Sequence, residues 1–318
     1  MARALRGRFA PSPSGRMHLG NLFSALIAWL SARSAGGTMV LRMEDLDPDR
    51  CREEYAAQLA DDLAWLGLDW EEGYGVGGPH GPYRQSERTH YYAECFAALE
   101  ERGLLYPCYC TRRERLAASA PHASDGTVVY PGLCRDLSGE ERRRLEAEGR
   151  RGAWRLRVGE REISFTDGHY GLQRENLAED CGDFIVRRSD GVYAYQLAVV
   201  ADDGDMEITQ VVRGRDLLSS TPRQLYLYEL LGLEAPEFYH VPLLLAPDGR
   251  RLSKREGDLD MGALRQRLSP GQLTGRLAFL AGLLPRSEDV EPRELIGAFS
   301  WEKVPKKDIF VPEKWFSA

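Results

Sequence analysis

The first fifty residues carry a hydropathy pattern that few folds accommodate. Leu5–Phe9 reads as a short strand and Pro11-Ser-Pro-Ser-Gly15 as a turn. Asn21–Ser34 has helical periodicity, Gly36-Gly37 stops it, and Thr38–Met43 is a second strand. A helix between two strands implies that they run parallel, because antiparallel neighbours need only a tight hairpin. The chain is therefore read as α/β with a parallel sheet. Glu53–Leu66 reads as a second amphipathic helix, and Gly73–Pro82 as a loop. Ser86 can cap a helix running to about Glu101, ended by Gly103.

Further on, from Tyr106 to Arg157, short apolar pieces alternate with arginine-rich ones. Ser138-Gly-Glu-Glu141 has capping-box spacing and opens a charged helix to about Gly149. Ala153–Val158 and Glu162–Thr166 read as short strands, as do Asp183–Arg188, Val192–Val200 and Ile208–Val212. Thr221-Pro222 starts a helix, with proline where its missing N–H does no harm. After Phe238–Leu245 comes a loop, 246–258, then short helices broken by Pro270, Pro285 and Pro292.

Composition narrows the class. At 43% hydrophobic and 29% charged residues the chain is neither disordered nor fibrous, and 318 residues suggest more than one domain at roughly 100–200 residues each. The longest apolar helical segment, Leu22–Leu30, is interrupted by Ser24 and falls short of the roughly 18 residues a bilayer needs. The basic N-terminus runs into Phe9-Ala-Pro rather than an apolar core, so a cytoplasmic protein with no membrane partner is expected. With 42 basic against 49 acidic residues the net charge is −7, and any nucleic-acid contact must come from a local basic patch. Six cysteines without a signal peptide do not suggest a disulfide framework.

Three constellations carry chemistry. In Arg8-Phe-Ala-Pro-Ser-Pro-Ser-Gly-Arg-Met-His-Leu-Gly-Asn21, Gly15 and Gly20 let backbone approach a bulky ligand. The helix that follows offers unpaired N–H groups and a positive dipole end to phosphate, and His18 can donate to a phosphate oxygen. In Arg250-Arg-Leu-Ser-Lys-Arg255, Lys254 is a cation suited to clamping a polyphosphate. Alone, the first is equally well a tight surface turn, and the second is better read as an exposed basic loop. The third set, Cys108, Cys110 and Cys134, offers soft donors for tetrahedral zinc, one ligand short, with His122 as a conventional fourth. Cys51, Cys95 and Cys181 lie on apolar faces and read as core.

Taken together, the His-Leu-Gly-Asn segment and the distant Leu-Ser-Lys-Arg segment resemble the paired HIGH and KMSKS signatures of class I aminoacyl-tRNA synthetases. The string Arg8–Asn21, with Tyr193-Ala-Tyr195 and Val211-Val-Arg-Gly-Arg-Asp-Leu217, is similar to the glutamyl and glutaminyl branch. The resemblance runs from about Leu5 to about Gly257 and implies a Rossmann-like parallel sheet with an inserted zinc-bearing α/β subdomain and a C-terminal helical region. Expected bounds are 1–105 and 183–245 for the catalytic domain, 106–182 for the insertion and 246–318 for the KMSKS-like loop and helical region. The chain stops too soon after Arg255 for two further domains, so no anticodon-binding domain is expected. That length points, within the branch, to the truncated paralogues that esterify glutamate onto queuosine at the wobble position of tRNA(Asp).

The resemblance also implies a site. Arg8 and Arg213 match family positions that contact the glutamate carboxylates, which arginine's planar fork suits, although which takes which stays open. Glu44 matches the position that holds the amino group; its bland reading is a helix cap. Ser12 and Tyr195 add neutral hydrogen bonds, Tyr195 being read on a strand with Tyr193. His18, Gly20, Asn21 and Lys254, with Mg²⁺, would hold ATP, His18 and Lys254 being the catalytic pair. In this family a tyrosine four residues before the last cysteine completes the zinc site, and Tyr130 stands there. Asp202-Asp-Gly-Asp205 reads as a turn rather than a calcium loop. The expected partners are ATP, L-glutamate and the anticodon arm of tRNA(Asp), acting on a monomer. Arginines 112, 113, 115, 142, 143, 144, 150 and 151 are candidate phosphate contacts, while a solvated charged helix is an equal reading of Glu140–Arg151. The alternatives are a truncated glutamyl-tRNA synthetase charging a 3′ end and a non-catalytic tRNA-binding paralogue.

Overall fold

The computed structural model describes residues 3–111, 114, 129–252 and 259–315. Strand β1 (Arg6–Phe9) leads through helix α1 (Leu19–Ser34) to β2 (Thr38–Leu41). Helix α2 (Glu53–Trp65), the short β3 (Glu72–Gly73) and helix α3 (Thr89–Glu101) follow. The same layer resumes at helix α5 (Tyr195–Asp205), β9 (Gln210–Gly214), helix α6 (Thr221–Leu231) and β10 (Glu237–Val241). These five strands form one sheet in the order β10-β9-β1-β2-β3, with every pair parallel. The parallel α/β expectation from the first fifty residues holds.

Alternation along the strands divides the interior. Met39 and Leu41 face the side covered by α1, α2 and the C-terminal helices, while Val40 and Val211 face the side covered by α5 and α6. Helix α1 lies within the first core, and the run from Ala25 to Ala32 is buried throughout. Such a helix has no polar face to show in its sequence.

Between α3 and α5 the chain builds a second layer. Strands β4 (Leu105–Cys108), β5 (Ala153–Leu156) and β8 (Phe184–Arg187) form an antiparallel sheet. Helix α4 (Gly139–Ala147) starts at the Ser138 capping box and buries no residue. Strands β6 (Glu162–Asp167) and β7 (Gly171–Asn176) form a separate hairpin. Phe184 and Ile185, just past the expected boundary at 183, pair with Leu156 and Arg155 and so complete the inserted sheet.

Two further readings change. Val192–Val200 is not a strand: Tyr195–Asp205 is helical, and Leu197 through Asp203 are all buried. Its β-branched apolar run mimics a strand, and a helix surrounded by protein shows no 3.6-residue contrast. Asp202–Asp205 is accordingly the end of that helix rather than a turn. After residue 258, helices α7 (Met261–Arg267) and α8 (Pro270–Leu280) lead to a small parallel pair, β11 (Leu244–Leu245) with β12 (Ile309–Phe310). Among the described residues no helix is long and apolar enough to cross a membrane.

Candidate active site

From β1 the chain steps to β2 on one side, while β9 on its other side steps to β10. Connections leaving in opposite directions open a crevice at the carboxyl ends of β1 and β9, where open parallel sheets bind ligands. A cleft of about 550 Å³ lies there. Arg8, Ser12, Glu44, Tyr195 and Arg213 line it, as do His18, Gly20 and Asn21. Eight of the nine residues expected to bind glutamate or ATP thus meet around one cavity. The ninth, Lys254, lies outside the described residues, as do Ser253 and Arg255.

Local structure explains these placements. The turn after β1 passes through Gly15 at φ +132°, a conformation L side chains rarely adopt. Glu44 stands just past β2, its N–H donating to the Pro11 carbonyl at 3.0 Å. Glu44 does not cap α2, whose start at Arg52 has no side-chain cap. His18 is the N-cap of α1: its Nδ1 accepts from Gly20 N at 3.1 Å, and its own N–H donates to Asn21 Oδ1 at 3.2 Å. An accepting Nδ1 leaves the proton of the neutral ring on Nε2. The expected array of open N–H groups at this helix start is partly filled, since Gly20 N is taken by His18 and Asn21 N by the His18 carbonyl.

Both flanks of the 253–258 stretch reach this cavity. Arg251 and Leu252 line it, Asp260 pairs with His18 as an antiparallel bridge, and Met261 N donates to Met17 O at 2.9 Å.

Behind the cleft lies an ion network that sequence reasoning missed. Arg42 is fully buried, with Asp203 at 2.7 Å, Asp202 at 3.4 Å and Glu44 at 3.5 Å. Asp203 also approaches Arg8 Nε at 3.4 Å. Asp202 accepts from Arg88 Nε at 2.6 Å, Gln85 Nε2 at 2.8 Å and Tyr92 Oη at 3.0 Å. Burial works against the charge of Arg42, but Asp203, Asp202 and Glu44 outweigh it and raise its pKa. Burial lifts the Glu44 carboxyl to about 7 against the pull of Arg42 and Arg8. The available signal was Arg42 itself, a charge within the otherwise apolar Met39–Met43, which demands a buried partner.

Arg213 is 5% exposed and held on several sides. Its Nε donates to His240 Nε2 at 3.0 Å, one terminal nitrogen to Gln224 Oε1 at 2.8 Å, and the other to Thr221 Oγ1 at 2.8 Å. Longer contacts reach Tyr195 Oη at 3.5 Å and the Leu217 carbonyl at 3.3 Å. Burial lowers the pKa of Arg213 and raises that of Tyr195. Tyr195 opens helix α5 instead of alternating along a strand, which turns it toward the cleft while Tyr193 packs against Tyr92 and Phe96.

The cysteine set forms a separate centre. The Sγ atoms of Cys108, Cys110 and Cys134 lie within 4.8 Å of one another. Tetrahedral Zn–S bonds of about 2.3 Å place sulfurs roughly 3.8 Å apart, so the spacing fits zinc. The Tyr130 hydroxyl is 3.3 Å from Cys108 Sγ and 3.7 Å from Cys110 Sγ, and it accepts from Cys134 N at 2.9 Å. Hydrogen bonds from Cys134 and Tyr130, with Arg155 nearby, hold the Cys108 thiol well below its usual range against the effect of burial. Arg155 also stacks over the Tyr130 ring at 3.7 Å. His122, the conventional alternative, lies outside the described residues. Cys181 is buried, while Cys51 and Cys95 are half-buried.

Of the candidate phosphate contacts, arginines 112, 113 and 115 lie outside the described residues. Arg144 is 3.9 Å from Glu148, and Arg150 is 3.1 Å from Glu114, so part of this charge is paired on the surface.

Residues 4–307 match the model of tRNA synthetases class I (E and Q), catalytic domain. A glutamyl-Q tRNA(Asp) synthetase of Nitratidesulfovibrio vulgaris is 53% identical over 97% of this chain and 96% of its own length. Its namesake from Symbiobacterium thermophilum is 51% identical over 99% and 98%. A glutamate–tRNA ligase 2 of Syntrophus aciditrophicus is 44% identical over 95% of this chain and 62% of its own. In three dimensions, a glutamate tRNA ligase from Elizabethkingia meningosepticum, solved in complex with its amino acid, superposes with a TM-score of 0.83 at 29% identity, over 99% of this chain and 68% of that one.

Proposed function

The chain belongs to the class I tRNA synthetases of the E and Q type, and from that premise we propose that it activates L-glutamate with ATP and transfers it to queuosine at the wobble position of tRNA(Asp). The observation that carries the reading is the charge pattern of the cleft. Arg8 and Arg213 offer two guanidinium groups to two carboxylates, and Glu44 offers one carboxylate to one ammonium. Tyr195 and Ser12 add neutral hydrogen bonds. Two relatives named for glutamyl-Q, at 53% and 51% identity and matched over nearly their whole length, favour the queuosine acceptor over a glutamate–tRNA ligase at 44% identity.

Two steps follow. A glutamate carboxylate oxygen attacks the α-phosphorus of ATP in line, and pyrophosphate leaves. An acceptor hydroxyl then attacks the acyl carbon of the adenylate, and AMP leaves. No enzyme nucleophile takes part, so the protein contributes position and charge neutralisation. His18 donates from Nε2 to phosphate beside the positive end of α1, and Gly20 leaves room for the nucleotide. Lys254, two residues past the cleft-lining Leu252, meets the departing pyrophosphate, and Mg²⁺ accompanies the nucleotide. A neighbouring chamber of about 400 Å³ shares Ser12, Ser14, Glu44, Arg50 and Tyr195 with the cleft, so an acceptor entering there meets the activated carboxyl. Cys108, Cys110, Cys134 and Tyr130 would hold a zinc ion, whose chemistry there is structural cross-linking.

The test has two arms. Lys254→Ala should cut glutamate-dependent ATP–pyrophosphate exchange by about two or more orders of magnitude with an unchanged melting temperature. Undiminished exchange removes Lys254 from the mechanism. Labelled glutamate is then offered to queuosine-containing and queuosine-free tRNA(Asp) and to tRNA(Glu). Label on the first alone supports the proposal; label on tRNA(Glu) makes the chain a 3′-end charging enzyme instead.

A further inference from the structure

Beneath Arg213 lies a pair of side chains that none of the glutamate contacts includes. His240, on β10, is fully buried, and its Nε2 accepts from Arg213 Nε at 3.0 Å. Its Nδ1 lies 2.6 Å from Asp167 Oδ2. Asp167 comes from a different part of the chain, the last residue of β6 in the inserted hairpin. An arginine Nε is only ever a donor, so His240 Nε2 must be bare and the ring proton must sit on Nδ1, facing the Asp167 carboxylate. The other Asp167 oxygen accepts from His169 N at 3.0 Å and Tyr170 N at 2.8 Å, so the hairpin turn fixes the carboxylate in place. The turn seats closely: Gly168 N donates to Phe238 O at 2.8 Å, and a Cβ at Gly168 would fall 2.0 Å from the Tyr239 ring.

The donors of Arg213 then divide into two sets. Nε is held by His240, and each terminal nitrogen has one short bond, to Gln224 or Thr221. Each terminal nitrogen keeps a second hydrogen, engaged among the described residues by the longer contacts to Tyr195 and Leu217, both of which line the cleft. With Nε taken, a carboxylate can be gripped end-on by one hydrogen from each terminal nitrogen, and not side-on through Nε.

We infer that Asp167 and His240 are positioning residues for glutamate, holding the Arg213 guanidinium in the one orientation that presents its end-on hydrogen pair to the cleft. The inference rests on the glutamate reading above. It makes the inserted hairpin a working part of the amino-acid site, although the hairpin contributes no residue to the cleft wall.

The chemistry of the pair dictates the test. In His240→Asn the amide can still donate toward Asp167 but is too short to accept from Arg213. In His240→Gln the longer amide can bring its oxygen to the Arg213 Nε–H. In Asp167→Asn the side-chain oxygen stays with the His169 and Tyr170 N–H groups, so the amide NH₂ faces His240. That forces the ring proton onto Nε2, where two donors confront each other. ATP–pyrophosphate exchange is measured with glutamate and ATP varied separately, alongside thermal unfolding. His240→Asn and Asp167→Asn should each raise the glutamate KM roughly tenfold to a hundredfold with the ATP KM unmoved, as one unmatched buried donor implies. His240→Gln should recover much of that loss at a similar melting temperature. A wild-type glutamate KM in both Asn variants, an equal rise in both KM values, or a Gln variant no better than the Asn variant overturns the inference. A wild-type protein that shows no glutamate-dependent exchange overturns the glutamate reading itself, and the inference with it.

Discussion

Burial raises the Glu44 carboxyl from an ordinary value of 4.5 to about 7, and this sets two opposite pH trends at a single residue. In the range between those values the native state holds a proton that the unfolded state has released, so stability falls as pH rises through it. Binding runs the other way, because the ionised Glu44 carboxylate holds the substrate ammonium more strongly than its neutral acid does. The glutamate KM should therefore climb as pH drops below about 7. Glu44→Gln should abolish that climb and leave the KM high at every pH, yet melt at a higher temperature than wild type above pH 7, by about 1–3 kcal/mol of stability. Exchange kinetics and thermal unfolding from pH 5.5 to 8.5, roughly the span in which such a carboxyl titrates, check both signs. A less stable Gln variant at pH 8 would show that the charge of Glu44 is needed by Arg42 more than burial penalises it. The same contrast explains what could be read in advance. Arg8, Glu44 and Arg213 were legible because they match family motif positions at strands of the parallel sheet, Arg8 and Arg213 within β1 and β9 and Glu44 just past β2. Asp203, which pairs with both Arg8 and Arg42, lies in a distant segment, and no local spacing announces a pair that meets only after the sheet forms.

At the scale of elements, strands β1 and β2 and helix α1 were readable because a crossover has its own period and length. Helix α5 was not, for the reason that makes it useful. Its stretch Leu197–Asp203 is buried on every side to carry Asp202 and Asp203 beneath the sheet, and such burial erases the amphipathic signal. Strand β7 was missed as well, since Gly-Leu-Gln-Arg-Glu-Asn is a mostly polar run recognisable only by its pairing with β6. That hairpin docks through Gly168, and the contact can be loaded without touching a charged residue. Gly168→Ala puts a methyl group against the Tyr239 ring, which is itself stacked on Trp301 at 4.7 Å. The expected outcome is a loss of about 1–3 kcal/mol in thermal or denaturant unfolding, as for other overpacked sites. The displaced turn should also raise the glutamate KM by the route through Asp167. A destabilised variant with an unchanged KM would mean that the hairpin can shift without carrying Asp167 along.

On the scale of the whole molecule, the two large cores flank the main sheet, whereas the zinc-type centre stands on a small cluster of its own. Tyr106, Cys108, Tyr130 and Cys134 form it, with Cys110 and Leu137 packed alongside. Nearly every side chain in that cluster is a potential metal donor, so little apolar burial remains to hold residues 130–137 once the donors separate. Asp183 is one tie between this region and the inserted sheet. It receives Tyr106 Oη at 2.5 Å, Arg135 Nε at 2.8 Å and Val158 N at 2.7 Å. Those bonds end within the inserted sheet and do not reach Arg8, Glu44 or Arg213. Replacing one donor should therefore loosen the insertion locally and leave the glutamate cleft standing. Cys110→Ser is expected to lose bound zinc by metal analysis and to become cleavable by protease near the cluster. It should keep glutamate-dependent pyrophosphate exchange within about threefold of wild type, because exchange needs only the cleft between β1 and β9. Transfer to queuosine-containing tRNA(Asp) should fall much further if the insertion helps to seat the anticodon arm. Equal loss of exchange and transfer would instead mean that the metal cluster braces the catalytic sheet through a path that Asp183 does not provide.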